Sequence, residues 1–378
     1  MGVTFMILNL NEKNMALGCK YCIKGEKLVL YITGLCEESC YYCPLSENRK
    51  GKDVIYANER KINSVEEAIL ESKLCGSKGV GITGGNPLLR IERTAKYLKA
   101  LKNEFGSNFH AHLYTTPTFI NENNLKILKD ANLDEIRLHP SKLFENCKEF
   151  KEFNTKEFLE KLILCKKYIN DVGIEIPGIP KFEEEILKLA SDVEKIGVNF
   201  LNINELEYSE TNYLLLKERK FKEKDDVSSG ILGSEKTALN VLKKFKGNLK
   251  IHYCPSSLKD GVQMKNRLIN RAKNVAKPYE IITEEGLLIK GIILFKKIED
   301  ISNIIETLEK NNENFEILDE KIYLNSKALE NLIENLKKEN FKFNFSAYIS
   351  EYYPTSDKLE VERIPLVTKK PNIKLKKK

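Results

Sequence analysis

Residues 28–43 read Leu-Val-Leu-Tyr-Ile-Thr-Gly-Leu-Cys-Glu-Glu-Ser-Cys-Tyr-Tyr-Cys. The stretch from Leu28 to Thr33 is apolar or β-branched and stops at a glycine, which is the pattern of a short buried strand. Cys36, Cys40 and Cys43 follow directly, spaced Cys-x3-Cys-x2-Cys. Three thiolates on one short loop can take three corners of an iron–sulfur cubane and leave its fourth iron without a protein ligand. That open position is what a cofactor or substrate needs to reach iron directly. A zinc knuckle is the plainer alternative, but zinc sites favour paired Cys-x2-Cys units and four ligands. The triplet therefore points to a [4Fe-4S] cluster.

Outward from this loop the chain alternates strand and helix. Further strands are expected at 79–83, 109–114, 135–138, 172–176 and 200–203, each short and bounded by Gly, Pro, Asn or polar residues. Helical periods lie between them, and the one at 64–75 opens with the capping pattern Ser64-Val-Glu-Glu67. Repeated strand–helix units imply a parallel sheet closed into a full or partial barrel. Ligands in such sheets sit at the C-terminal ends of the strands, which is where Cys36 falls. From 280 onward the order becomes β-α-β-β-α-β, a ferredoxin-like arrangement.

The cysteine loop resembles the radical S-adenosylmethionine (SAM) superfamily, in an archaeal-type branch related to pyruvate formate-lyase-activating enzyme. The resemblance covers roughly residues 27–205. It implies a partial (β/α)6 radical SAM barrel with a C-terminal ferredoxin-like α+β domain. It also implies that Tyr42, just before the third cysteine, contacts adenine. Gly84-Gly85-Asn86-Pro87 matches a family pattern, Gly-Gly-Glu-Pro, that holds the SAM amino group. Asn86 stands where the acid is expected; its amide can accept a hydrogen bond but brings no charge. Asn86→Glu is on this reading expected to preserve or tighten SAM binding. His139 and Gly178, the latter in Glu175-Ile-Pro-Gly178-Ile-Pro180, are further cofactor contacts the resemblance suggests. The implied chemistry is reductive cleavage of SAM to a 5′-deoxyadenosyl radical that modifies a substrate, with the cofactors carrying the hard step. A one-electron donor such as flavodoxin or ferredoxin is the expected partner.

Cys19 and Cys22 have knuckle spacing, and Cys254 lies in His252-Tyr-Cys-Pro. Together with His252 they are a candidate second metal site, for zinc or another iron–sulfur cluster. His110 and His112 alternate on a strand and read as packing. Arg49, Lys50 and Lys52, beside the cysteine loop, are either an anion-binding patch or a solvated loop. Residues 259–273 form a basic amphipathic stretch that packs or touches RNA. Cys75, Cys147 and Cys165 are expected in the core. The expected division is a Cys-x2-Cys segment at 1–26, the radical SAM core at 27–207 and a helical extension with a His-x-Cys turn at 208–279. An accessory domain at 280–355 and a basic tail at 356–378 complete it.

The chain has 378 residues, 42% hydrophobic and 31% charged, which fits a folded protein of two or three domains and excludes disorder. No apolar run is long enough for a membrane span and no signal peptide opens the chain, so a cytoplasmic location is expected. Five of its nine cysteines crowd into residues 19–43, which suits a metal centre better than a disulfide scaffold. The leading reading is a radical SAM oxidoreductase or transferase acting on a small molecule, a peptide or a tRNA. A glycyl-radical enzyme activase is the alternative, opposed by the length of chain beyond the core. A non-catalytic iron–sulfur or zinc protein that binds nucleic acid is the third reading.

Overall fold

The strand–helix alternation builds one nine-stranded sheet in the order β3-β2-β1-β4-β5-β6-β7-β8-β9. Its strands are β1 (Lys27–Tyr31), β2 (Ile55–Ala57), β3 (Arg60–Ile62), β4 (Gly79–Thr83), β5 (His110–Thr115), β6 (Glu135–Leu138), β7 (Asp171–Pro177), β8 (Phe200–Asn204) and β9 (Lys250–Cys254). β1 and β4 through β9 run parallel, while β2 and β3 form an antiparallel edge. The computed structural model describes residues 12–144, 154–224 and 228–368. It divides into two compact units, Met1–Arg267 and Leu268–Lys378.

Six parallel strands are the expected ones, and β9 adds a seventh. The residues expected as a His-x-Cys turn are that strand: Ile251 and Tyr253 face the apolar side while His252 and Cys254 face the other. Helices α1 (Leu17–Ile23), α2 (Val65–Leu74), α3 (Ile91–Phe105), α4 (Glu122–Asp130), α5 (Thr155–Lys166), α6 (Glu183–Lys195), α7 (Tyr213–Glu218) and α8 (Ser234–Lys244) complete the first unit up to β9. The capping box at Ser64 forms as read, with Glu67 at its third position.

Alternation along the strands gives the sheet two unlike faces. Leu30, Ile82, Leu113, Ile136, Leu201 and their neighbours are wholly buried in one continuous apolar core. The opposite face carries Lys27, His110, His112, Glu135, Arg137 and Glu175, in register from strand to strand. Glycines make room there for large neighbours: a Cβ on Gly173 would lie 2.1 Å from the Phe200 ring, and one on Gly81 2.8 Å from His112 Nε2. This polar face is capped by α1. Gly18 N donates to Glu135 Oε2 at 3.2 Å, so the helix start meets a carboxylate.

After β9 the chain passes through a π-helical turn at Lys259–Met264 into α9 (Lys265–Val275). In the basic stretch Arg271 is buried, its Nε donating to Pro354 O at 2.7 Å, so that charge is not left to solvent or RNA. The second unit holds β10 (Ile281–Ile282), β11 (Leu288–Leu294), α10 (Ser302–Lys310), β12 (Phe315–Leu318), β13 (Lys321–Leu324), α11 (Ser326–Lys338), β14 (Ser346–Tyr352) and β15 (Glu360–Val367). Its antiparallel sheet runs β12-β13-β11-β14-β15, with β10 beside β11, and contains the ferredoxin-like order. The phenylalanines at 341, 343 and 345 pack edge-on and tilted against one another just before β14 begins at Ser346. The basic tail is also corrected: 360–367 is a strand paired with β14. Cys75 and Cys165 are buried, and Cys147 lies outside the described residues. Among the described residues no helix is long and apolar enough to cross a membrane.

The close seat of α1 yields a test. A Cβ on Gly18 would fall 2.6 Å from Arg137 Nη2 and 2.7 Å from His112 Nδ1. Gly18→Leu is expected to destabilise by about 1–3 kcal/mol through overpacking and to speed modification of Cys19 and Cys22 by a thiol reagent. Unchanged stability and unchanged thiol reactivity would show that α1 is not held against the sheet.

Candidate active site at the mouth of the parallel sheet

The cysteine loop leaves β1 and is pinned at once to the end of β4. Ile32 N donates to Thr83 O at 2.9 Å, Gly85 N to Thr33 O at 2.7 Å and Asn86 N to Leu35 O at 2.8 Å, extending the ladder past both strands. Gly84 and Gly85 are needed for this approach: a Cβ on Gly84 would lie 2.4 Å from Thr33 O, and one on Gly85 2.2 Å from Leu35 O. The close approach these glycines permit is therefore between two stretches of backbone. Gly34 is fastened similarly to the next loop, donating to Lys52 O at 2.8 Å and accepting from Gly51 N at 2.9 Å. Beyond the triplet, Thr211 Oγ1 donates to Cys43 O at 3.3 Å and Asn212 Nδ2 to Tyr42 O at 3.2 Å.

Cys36 is exposed and Cys40 and Cys43 are half-buried, and all three are free thiols. Burial pushes Cys36 up to about 11 and Cys40 up to about 12. Metal binding would therefore have to release protons from these thiols. Three soft sulfur donors on one loop suit an iron–sulfur cluster rather than a hard cation. Among the described residues no three His, Cys, Asp or Glu side chains are gathered closely enough to hold a metal ion.

Tyr42 is buried, and its hydroxyl lies 2.8 Å from His139 Nε2. His139 Nδ1 lies 2.9 Å from Glu175 O. A carbonyl can only accept, so Nδ1 carries the proton and Nε2 accepts from Tyr42. Burial lowers the His139 pKa, which keeps the ring neutral. Both ring nitrogens are spoken for, so His139 positions Tyr42 beside the third cysteine. Asn86 is wholly buried and equally committed: Oδ1 accepts from Leu88 N at 3.0 Å and Thr115 Oγ1 at 2.8 Å, while Nδ2 donates to Thr116 and Glu37. Gly178 N donates to Asn204 O at 2.7 Å, holding that turn against the end of β8. The Arg49 guanidinium packs on the Tyr31 and Tyr56 rings, 5.3 and 4.4 Å from their centres, and donates to Asn58 O at 3.2 Å.

Below the mouth, the polar face holds a buried ion network that the strand alternation encodes. Arg137, 2% exposed, pairs with Glu135 at 2.5 Å and with Glu175 at 2.7 Å, and donates to Tyr114 Oη at 3.0 Å. Burial works to raise the Glu175 pKa, but Arg137, Asn204 and Asn202 together hold it below the ordinary value. The four residues of the candidate second metal site all border this interior. There Cys19 Sγ accepts from Asn202 at 3.2 Å and Arg137 at 3.5 Å, and Cys254 Sγ from Gln263 at 3.6 Å. Burial pushes Cys19 and Cys254 up to about 12 and raises Cys22 as well. His110 bonds to Lys27, with 2.6 Å between Nδ1 and Nζ, which agrees with packing.

Arg137→Met would leave Glu135 and Glu175 buried without their cation. We expect a loss of about 3–5 kcal/mol in denaturant unfolding, reduced when Glu175→Gln is added. A loss under about 1 kcal/mol would mean that water reaches the network and screens it.

Residues 30–193 match the Radical SAM superfamily, and residues 286–366 match a domain of unknown function, DUF8061. A protein of Methanocaldococcus jannaschii that carries the provisional name of glycyl-radical enzyme activating enzyme is 64% identical over 353 residues, covering 93% of each chain. Among solved structures, SuiB of Streptococcus suis bound to its precursor peptide SuiA is 14% identical, covers 66% of this chain and 56% of that one, and gives a TM-score of 0.43. The enzyme anSMEcpe with bound AdoMet and Cp18Cys peptide is 18% identical, covers 57% of each chain and gives 0.40. The chain spans a little over half the length of these two solved structures. On the family match and on the near-full-length relative, the chain belongs to the radical SAM superfamily.

Proposed function

We propose that this radical SAM enzyme acts on a polypeptide, as an activating enzyme for a glycyl-radical partner, with flavodoxin or ferredoxin as its electron donor. The observation that carries this reading is the relative's 64% identity across 93% of the chain. That length includes the segments beyond the core, so their presence no longer counts against an activase. Superfamily membership brings a [4Fe-4S] cluster and SAM, and the thiols of Cys36, Cys40 and Cys43 are the donors that fit the cluster. When bound, the cluster and SAM supply a one-electron cleavage that yields a 5′-deoxyadenosyl radical. This chain's own residues do the positioning. The Gly84-Gly85 turn holds the cysteine loop at the mouth of the sheet, and His139 holds Tyr42. The Arg137 network fixes a charged interior beneath them. On this reading the second unit, whose match is a domain of unknown function, is the part that recognises the partner.

Anaerobic reconstitution with iron, sulfide, dithionite and SAM should give 5′-deoxyadenosine. Cys36→Ala, Cys40→Ala and Cys43→Ala should each reduce its formation to background and remove the broad cluster absorbance, since the site has only three protein ligands. Full product formation by any one of them would exclude the triplet as the ligand set. Addition of a candidate glycyl-radical enzyme should give a protein-centred radical by electron paramagnetic resonance, and modification of a small molecule or tRNA instead would overturn the activase reading. Metal analysis of the same preparation tests the interior thiols. Metal beyond four irons, lost in Cys19→Ala, Cys22→Ala and Cys254→Ala, would establish a second site, whereas four irons and no zinc would exclude it.

A further inference from the structure

We infer that Glu37, the residue after the first cysteine, supplies the carboxylate that receives the ammonium group of SAM, in place of the acid that is missing at position 86. The inference rests on the radical SAM reading above and assigns a residue to it.

The orientation of Asn86 is fixed by its neighbours. Its Oδ1 accepts from the Leu88 backbone N–H and from the Thr115 hydroxyl, so its NH2 edge must face the other way. That edge lies 2.8 and 3.0 Å from the two Glu37 carboxylate oxygens and 2.9 Å from Thr116 Oγ1. The Thr116 hydroxyl in turn donates to Glu37 Oε1. Asn86 and Thr116 are both buried, whereas Glu37 is exposed at the mouth. A buried, rigid pair of neutral donors thus holds an exposed carboxylate next to Cys36.

Neutral donors fix the geometry of a carboxylate without cancelling its charge. Among the described residues Glu37 forms no ion pair. A positioned carboxylate without a counter-ion, one residue from a cluster ligand, is a seat for a ligand ammonium. The same geometry explains the amide at 86. A glutamate there would lose the donor that anchors Glu37 and set two carboxylates against each other. The charge has moved from the end of β4 to the cysteine loop, and an amide at 86 is the condition for that move. The expectation that Asn86→Glu alone preserves or tightens SAM binding is therefore reversed.

The test is equilibrium binding of SAM to the cluster-loaded, unreduced protein, alongside 5′-methylthioadenosine, which keeps the nucleoside and lacks the ammonium. Glu37→Gln should weaken SAM about 10- to 100-fold, the range of a charge-assisted hydrogen bond, and leave methylthioadenosine within about threefold. Asn86→Glu alone should also weaken SAM. The double variant Glu37→Gln/Asn86→Glu returns the charge to position 86 and should recover most of the affinity, a coupling that separate losses would not give. Thr116→Val leaves the cysteine loop's sequence intact and should weaken SAM selectively even where Glu37→Gln fails to hold its cluster. Wild-type SAM affinity in Glu37→Gln, or equal loss of both ligands in Glu37→Gln and Thr116→Val, would overturn the assignment. Absence of SAM binding by the unaltered protein would instead overturn the reading on which it rests.

Discussion

The arrangement at the mouth depends on one close backbone approach, where the ends of β1 and β4 continue to pair after the strands have stopped. The bonds from Gly85 N to Thr33 O and from Asn86 N to Leu35 O bring the cysteine loop and the Gly-Gly-Asn-Pro turn into one rigid corner. Any side chain on either glycine would collide with a carbonyl oxygen of the partner segment. The corner places three thiols, the Asn86 amide and the Glu37 carboxylate within one loop's reach. It does so at the C-terminal end of a parallel sheet, where ligands of such sheets bind.

The interior beneath that corner is unusual for a parallel sheet, whose strands are commonly apolar on both faces. Here one face is apolar under the helices and the other carries Arg137, Glu135, Glu175 and Lys27. Burying these charges is costly unless each has a partner, and the register supplies one. Tyr114 pairs with Arg137 across β5 and β6, and Glu175 with Asn202 across β7 and β8. α1 then covers the network and places Cys19 against the guanidinium. The mouth of the sheet and the charge network share Glu175, whose carboxylate holds Arg137 while its carbonyl holds His139.

Much of this was legible in the sequence because it rests on local pattern. The cysteine spacing, the six parallel strands and the β-α-β-β-α-β order after residue 280 are each written in short windows. β9 is hard to read because Lys-Ile-His-Tyr-Cys, at 250–254, has no β-branched run and looks polar; the alternation of Ile251 and Tyr253 with His252 and Cys254 is the available signal. The same alternation in His-Ala-His, Glu-Ile-Arg and Asn-Ile-Asn marks the polar face of the other strands. Asn86 and His139 stand out in the sequence as candidate cofactor contacts, but their partners depend on contacts between distant segments. Glu37 carries no local signal, being a charged residue on a polar loop. Its significance appears only when Asn86 and Thr116, from two other strand ends, are seen to hold it. Arg49 likewise reads as a free cation until Tyr31 and Tyr56 are found beneath it.

The central claim is that Cys36, Cys40 and Cys43 hold a [4Fe-4S] cluster with one iron open to SAM. The most direct measurement is the electron paramagnetic resonance spectrum of the reconstituted, dithionite-reduced protein, recorded with and without SAM. An open iron predicts the signal of a reduced [4Fe-4S] cluster whose g-values shift when SAM is added, because the ligand enters the cluster's coordination sphere. A reduced-cluster signal unchanged by SAM, or a protein that takes up zinc and shows no such signal, would contradict the account.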